Sequence, residues 1–161
     1  MTTRDFNKIV DLYADDLYRF ILKNIKDEEK AKDVVQEAFE KIWLKSDTIS
    51  ASKAKSYLFT SGYHIMIDQI RKKKITITYA ASKHIGYEEP KEHHDLQKII
   101  DDALQKLPEI QKSVLLLRDY EGYTYNEISQ ICQLTESQVK VYIYRARLAM
   151  KNYIGKLEIV I

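Results

Sequence analysis

Thr124-Tyr125-Asn126-Glu127-Ile128-Ser129-Gln130-Ile131-Cys132-Gln133-Leu134-Thr135-Glu136-Ser137-Gln138 is the stretch on which the fold turns. Thr124 followed by Glu127 has the form of a capping box, in which a threonine oxygen takes a backbone N–H and the glutamate reaches back to the cap. Thr135 and Gln138 repeat the pattern. Two helices are therefore predicted, starting near Tyr125 and Glu136, with the first ending around Cys132 or Gln133. The Gln133-Leu134-Thr135 connection is as short as a helix-turn-helix requires. Ile128 and Ile131 on the first helix are placed to pack against Val139, Ile143 and Ala146 on the second.

The second of these helices is polarised in charge. Lys140, Arg145, Arg147, Lys151 and Lys156 lie between Ser137 and Leu157 with no acid among them. Such a run matches phosphate oxygens along a groove. Glu136, Ser137, Gln138 and Lys140 come first, where a recognition helix meets base edges. The plainer alternative is a solvated basic helix in an ordinary bundle.

Outward from this point the chain reads as further helices. Phe6, Ile9, Val10, Tyr13, Leu17 and Ile21 recur at helical spacing from about Thr3 to Ile25, with Thr2 or Thr3 as cap. Glu28 to Lys45 places Ala31, Val34, Val35, Ala38, Phe39 and Ile42 on one stripe, with Asp33, Gln36, Glu37 and Glu40 on the other side. Residues 46–52 form a polar loop. A third helix, about Ser52 to Lys74, closes with Arg71-Lys72-Lys73-Lys74. Residues 76–94 lose the period and are expected to be a linker, although 75–79 has the β-branched content of a strand. From Asp95 the period returns through Leu96, Ile99, Ile100, Ala103, Leu104 and Leu107. Pro108 suits a first helical position, and the helix after it runs to Tyr120 before Glu121-Gly122 breaks it. The expected fold is all-α: a helical unit over 1–75, a linker over 76–94, and a helix-turn-helix unit over 95–161.

Composition limits what such a protein does. The chain has 161 residues, enough for one ordinary domain or two small helical ones. Four glycines and two prolines leave little material for hairpins. Twelve tyrosines suit half-buried faces and stacking surfaces alike. Net charge is only +2, so nucleic-acid binding must come from local segregation of charge rather than bulk attraction. The single cysteine, Cys132, has no disulfide partner, and no Cys/His spacing suggests zinc. His93-His94 lack a third ligand and read as solvated linker residues. No apolar run has membrane-spanning length and no signal peptide is present, so the cytoplasm is the expected compartment, without membrane insertion. No phosphate-binding glycine loop, metal cluster or nucleophile constellation points to an enzyme or a cofactor.

These residues together resemble the extracytoplasmic-function group of bacterial sigma factors. Leu107-Pro108-Glu109-Ile110-Gln111, Val114 to Arg118 and Glu121 to Ile128 are similar to that family's DNA-binding region 4. Val139-Lys140 and Tyr144-Arg145-Ala146-Arg147 are similar to its recognition helix. Ala31 to Trp43 resembles region 2, and Tyr57-Leu58-Phe59 with Asp68 to Lys74 resembles the helix that follows. The resemblance implies that Asp33, Gln36, Glu37 and Glu40 dock on the clamp helices of the β′ subunit of core RNA polymerase, with the β flap as a further contact. It implies that Tyr57, Tyr63 and His64 meet the melted −10 strand, with Arg71, Lys72, Lys73 and Lys74 on phosphates. Glu136, Ser137, Gln138, Lys140, Tyr144, Arg145 and Arg147 would read the −35 duplex. Each of the aromatics serves equally well as core. An anti-sigma factor is the further partner implied; a flexible linker allows open and closed forms, and a closed form is able to hide both DNA surfaces.

The chain departs from the family where Ser61-Gly62-Tyr63-His64 replaces the usual Ile-Ala-X-Asn, at Ser129 for alanine, and at Gln138 for threonine. A glycine within a helix costs about 1 kcal/mol relative to alanine. Two other classes of function remain open on the residues alone. One is a stand-alone regulator binding operator duplex as a dimer. The other is a helical adaptor that binds only proteins and is indifferent to Arg145 and Arg147.

Overall fold

A computed structural model describes residues 1–80 and 95–159 of the chain, and among them every regular element is helical. α1 spans Thr3–Ile25, α2 Glu28–Leu44, α3 Ala54–Ala80, α4 Leu96–Gln105, α5 Glu109–Leu115, α6 Tyr125–Cys132 and α7 Glu136–Ile159. A short 3-10 turn, Ala51–Lys53, precedes α3, and a wider π turn, Leu116–Tyr120, ends α5.

Local chemistry accounts for most of the boundaries. Thr2 accepts from the Asp5 amide at 3.1 Å while Asp5 accepts from the Thr2 amide at 3.1 Å, a reciprocal cap that starts α1. Lys26 ends it in the left-handed region (φ 53°), its N–H donating to Leu22 O. Asp27 caps α2 by accepting from the Lys30 amide at 3.1 Å. Asp95 caps α4 on the Gln97 amide at 3.0 Å.

The structure corrects three expectations. Residues 75–79 are not strand-like but continue α3 to Ala80, so the expected linker begins inside a helix. The rest of that linker, His93-His94 included, lies outside the described residues. Pro108 stands just before the helix, with φ −54° and ψ 146°, and Glu109 is the first helical residue. The helix expected to reach Tyr120 loosens into the π turn from Leu116. Gly62, by contrast, leaves α3 regular. A β-carbon there would sit 2.8 Å from Leu17 Cδ1, so the missing side chain lets α1 and α3 pack closely.

α1, α2 and α3 pack on one another, and α4 to α7 gather around α7. One continuous cluster of buried side chains runs through both groups, from Leu17, Phe20 and Phe59 to Tyr123, Ile128 and Val139. Phe59 bridges them, with its ring 5.8 Å from Phe20 and 5.2 Å from Tyr123. The two units are thus closed on each other, α6 lying against α3.

Candidate nucleic-acid interface

The helix-turn-helix forms by the two boxes its sequence contains. Gly122 (φ +75°) turns the chain, and Tyr123 N–H donates to Leu117 O at 3.0 Å. The Glu127 amide donates to Thr124 Oγ1 at 3.1 Å, and the Thr124 amide donates to Glu127 Oε1 at 3.0 Å. Gln133 closes α6 in the left-handed region (φ 56°). The Gln138 amide then donates to Thr135 Oγ1 at 3.1 Å, and the Thr135 amide donates to Gln138 Oε1 at 2.9 Å. Ile128, Ile131, Val139, Ile143 and Ala146 are all buried, which fixes how α7 sits on α6.

The opposite side of α7 faces solvent. Glu136, Ser137, Gln138, Lys140, Tyr144, Arg145 and Arg147 are all exposed. They are not equivalent. Gln138 Oε1 is committed to the cap, and Arg147 forks onto Asp119, with its Nε 3.2 Å from Oδ2 and Nη2 on Oδ1. That hydrogen bond to Asp119 raises the pKa of the Arg147 guanidinium further above its ordinary value. Lys140 stands 5.6 Å from the Tyr125 ring centre, across which Arg118 also lies at 4.6 Å. Glu136, Ser137, Tyr144 and Arg145 present the outermost groups. Sequence reading missed Val141 and Leu148, which are 44% and 45% exposed beside Tyr144 and make the basic face partly apolar. Their spacing along the helix carried that signal.

On α2, Asp33, Gln36, Glu37 and Glu40 are exposed as one face, Gln36 Nε2 donating to Glu40 Oε1 at 3.4 Å. Beside them Phe6, Phe39, Trp43 and Leu44 line an apolar groove. Trp43 is nearly half exposed and stacks edge-on against Phe6 at 5.0 Å. Sequence analysis had not singled out this groove.

α3 divides its candidates. Arg71, Lys72 and Lys73 are exposed, Tyr57 and His64 are partly buried, and Tyr63 is buried. Lys45 approaches the Tyr57 ring at 5.6 Å. Tyr63 lies edge-on to His64 at 5.5 Å, and its hydroxyl is beside the Cys132 thiol of α6. Burial pushes the Tyr63 hydroxyl well above its ordinary pKa, and burial likewise pushes the Cys132 thiol up to about 12. The closed arrangement therefore covers Tyr63 while leaving the exposed side of α7 in solvent.

No group of three or more metal-ligating side chains occurs among the described residues, and none of their helices is long and apolar enough to cross a membrane.

An outward basic helix behind a tight turn, joined to a second helical unit, defines a helix-turn-helix DNA-binding protein. Two family descriptions match the chain: Sigma-70 region 2 over residues 9–75 and Sigma-70, region 4 over residues 97–150. The ECF RNA polymerase sigma factor SigM of Bacillus subtilis (strain 168) is 28% identical over 151 residues, covering 90% of this chain and 92% of that protein. SigX of the same organism is 25% identical over 165 residues, covering 95% and 85%. The fold matches that of the sigma factor RpoE in complex with the anti-sigma factor NepR from Bartonella quintana. The TM-score is 0.81 at 24% identity, with 95% of this chain and 98% of that one covered. The chain belongs to the sigma-70 family, in its extracytoplasmic-function group. Proteins of this family bind core RNA polymerase and direct transcription initiation at promoters, and so does this one.

Proposed function

We propose that the chain divides promoter recognition between its two units, 1–75 and 95–161, through residues on α2, α3 and α7. Asp33, Gln36, Glu37 and Glu40 dock on the β′ clamp helices of the polymerase, with Trp43 and Leu44 supplying apolar contact beside them. Ser137, Lys140, Tyr144 and Arg145 enter the major groove at the −35 element. Tyr57, Tyr63 and His64 receive unpaired −10 bases, with Arg71, Lys72 and Lys73 on the phosphates. The mechanism is binding rather than catalysis. Polymerase makes two weak DNA contacts bivalent, so neither needs high affinity alone. That agrees with a net charge of only +2. Work beside RNA polymerase implies the cytoplasm, and the solved neighbour's anti-sigma complex suggests an inhibitory partner of that kind here.

The single observation that carries this reading is the outward basic face of α7, held by two capping boxes on a buried Ile128-Ile131-Val139-Ile143 seam. Run-off transcription with core polymerase on promoter DNA selected by the reconstituted holoenzyme tests it. Promoter-specific transcripts are expected, and Glu37→Lys and Arg145→Ala should each abolish them. Tight binding to duplex DNA as a dimer without any gain in polymerase specificity would favour the stand-alone regulator instead.

A further inference from the structure

The buried polar and charged residues among those described are Asn24, Lys112 and Ser113, and all three meet at one point between the two units. There α1 ends, and a helix end leaves its last carbonyls without intrahelical partners. Leu22 O is taken by the Lys26 amide of the same chain segment, 2.8 Å away. The next two carbonyls are taken by the other unit. Gln105 Nε2 donates to Lys23 O at 2.8 Å, and Lys112 Nζ donates to Asn24 O at 2.6 Å. Lys112 also donates to Gln105 Oε1 at 3.1 Å, while Ser113 Oγ donates to Asn24 Oδ1 at 2.8 Å.

Lys112 is 6% exposed, and the acceptors its ammonium bonds are uncharged. Burying a charge is costly unless its surroundings answer it. Here the partial negative charge at the C-terminal end of α1 does so. Four ion pairs among the described residues also join the two units. Arg19 forks onto Glu121, with contacts at 3.0 and 3.1 Å, and Glu121's side chain is only 4% exposed. Lys23 and Lys26 both reach Asp101, at 3.3 and 3.2 Å. Lys74, in the basic run of α3, reaches Glu109 at 3.3 Å.

We propose that Lys112 is an interdomain latch: by capping α1 from the other unit it holds the chain closed, with the polymerase-docking face of α2 and the duplex-reading face of α7 open but Tyr63 of α3 covered by α6. The assignment of those faces rests on the function proposed above; the latch itself does not. Its consequence is an order of events. The closed chain meets polymerase and duplex DNA first, and captures unpaired bases only after α6 leaves α3. Tyr63, 6% exposed against Cys132, is the group uncovered by that step. Opening is a population shift, driven by whatever binds the open form more tightly.

The test uses the full chain without polymerase. Small-angle X-ray scattering should give a radius of gyration near the roughly 15 Å of a compact chain this long. Lys112→Glu places a negative charge against the α1 carbonyls and should expand the molecule by several ångströms at unchanged helix content by circular dichroism. It should also tighten binding of a fluorescein-labelled single-stranded T-rich oligonucleotide by about tenfold, the factor lost with one hydrogen bond to a charged group. If Lys112→Glu loses helix content, Lys112→Met decides: it keeps the length of the side chain, removes the donor to Asn24 O and should still expand the chain. A wild type already expanded, or a Lys112→Glu chain that stays compact and helical, overturns the latch. So does a Lys112→Met chain that stays as compact as the wild type. An expanded Lys112→Glu chain with unchanged oligonucleotide affinity overturns the covering of α3. None of these results depends on the run-off assay, which judges the sigma function separately.

Discussion

Gly62 and Tyr123 show how single positions are decided by neighbours distant in sequence. Replacing Gly62 by alanine gains about 1 kcal/mol of helix propensity. It also forces a methyl group against fully buried Leu17, and overpacking of that kind costs about 1–3 kcal/mol. Gly62→Ala is therefore expected to destabilise by roughly 1 kcal/mol rather than stabilise, as read by urea unfolding. Tyr123 is buried with its ring against Phe59, and its hydroxyl has no hydrogen-bond partner among the described residues. Removing an unsatisfied buried group relieves its desolvation penalty, so Tyr123→Phe should stabilise by up to about 1 kcal/mol in the same assay. Cys132 supplies a third reading at this scale. Burial raises its thiol pKa from 9.0 to about 12, which near pH 8 lowers the reactive thiolate fraction by about a thousandfold. Disulfide-reagent labelling should be correspondingly slow in the native chain and return to the ordinary rate on unfolding; fast native labelling would contradict the buried contact with Tyr63.

At the scale of the element, α7 carries seven candidate DNA-reading residues whose side chains have different work. Arg147 is bound to Asp119 and Gln138 caps its own helix, whereas Arg145 projects into solvent. Arg145→Ala should weaken duplex binding at every sequence tested and reduce the slope of log affinity against log salt by about one unit. Arg147→Ala should leave that slope nearly unchanged, because its charge is already engaged within the protein. Equal slopes for the two variants would mean that Asp119 releases Arg147 to the phosphates. α6 and α7 also show how far local sequence reaches. Both capping boxes were legible in Thr124-X-X-Glu127 and Thr135-X-X-Gln138, since a cap is a contact across three residues. The fate of Arg147 was not, because Asp119 lies on the π turn and reaches it only through the packing of α5 on α7.

For the whole molecule, the decisive feature is that one buried cluster spans both units. Phe59 is fully buried between Phe20 and Tyr123, so it belongs to both halves at once. Truncating such a residue costs about 3–5 kcal/mol. Phe59→Ala should therefore lower the stability of both halves in calorimetry, moving the unfolding of α1–α3 and of α4–α7 to lower temperature alike. A shift confined to one half would mean that the shared cluster adds little to the other.

The sequence by itself determined the helices, their caps, the helix-turn-helix, and the acidic and basic faces that match the sigma-70 family. These follow from hydrophobic period, capping side chains and charge order, all of which act within a few residues along the chain. It did not determine that α3 runs on to Ala80, since β-branched residues such as Ile75 and Thr76 serve a helix when neighbouring turns carry it. Nor did it reveal that Tyr63 is covered, that Arg147 is engaged, or that Lys112 reaches Asn24, a residue 88 positions away. Those outcomes were decided only by tertiary packing, of α4–α6 on α1 and α3 for Tyr63 and Lys112 and of α5 on α7 for Arg147, because a buried ammonium and the last carbonyls of a helix satisfy each other only where that packing brings them together.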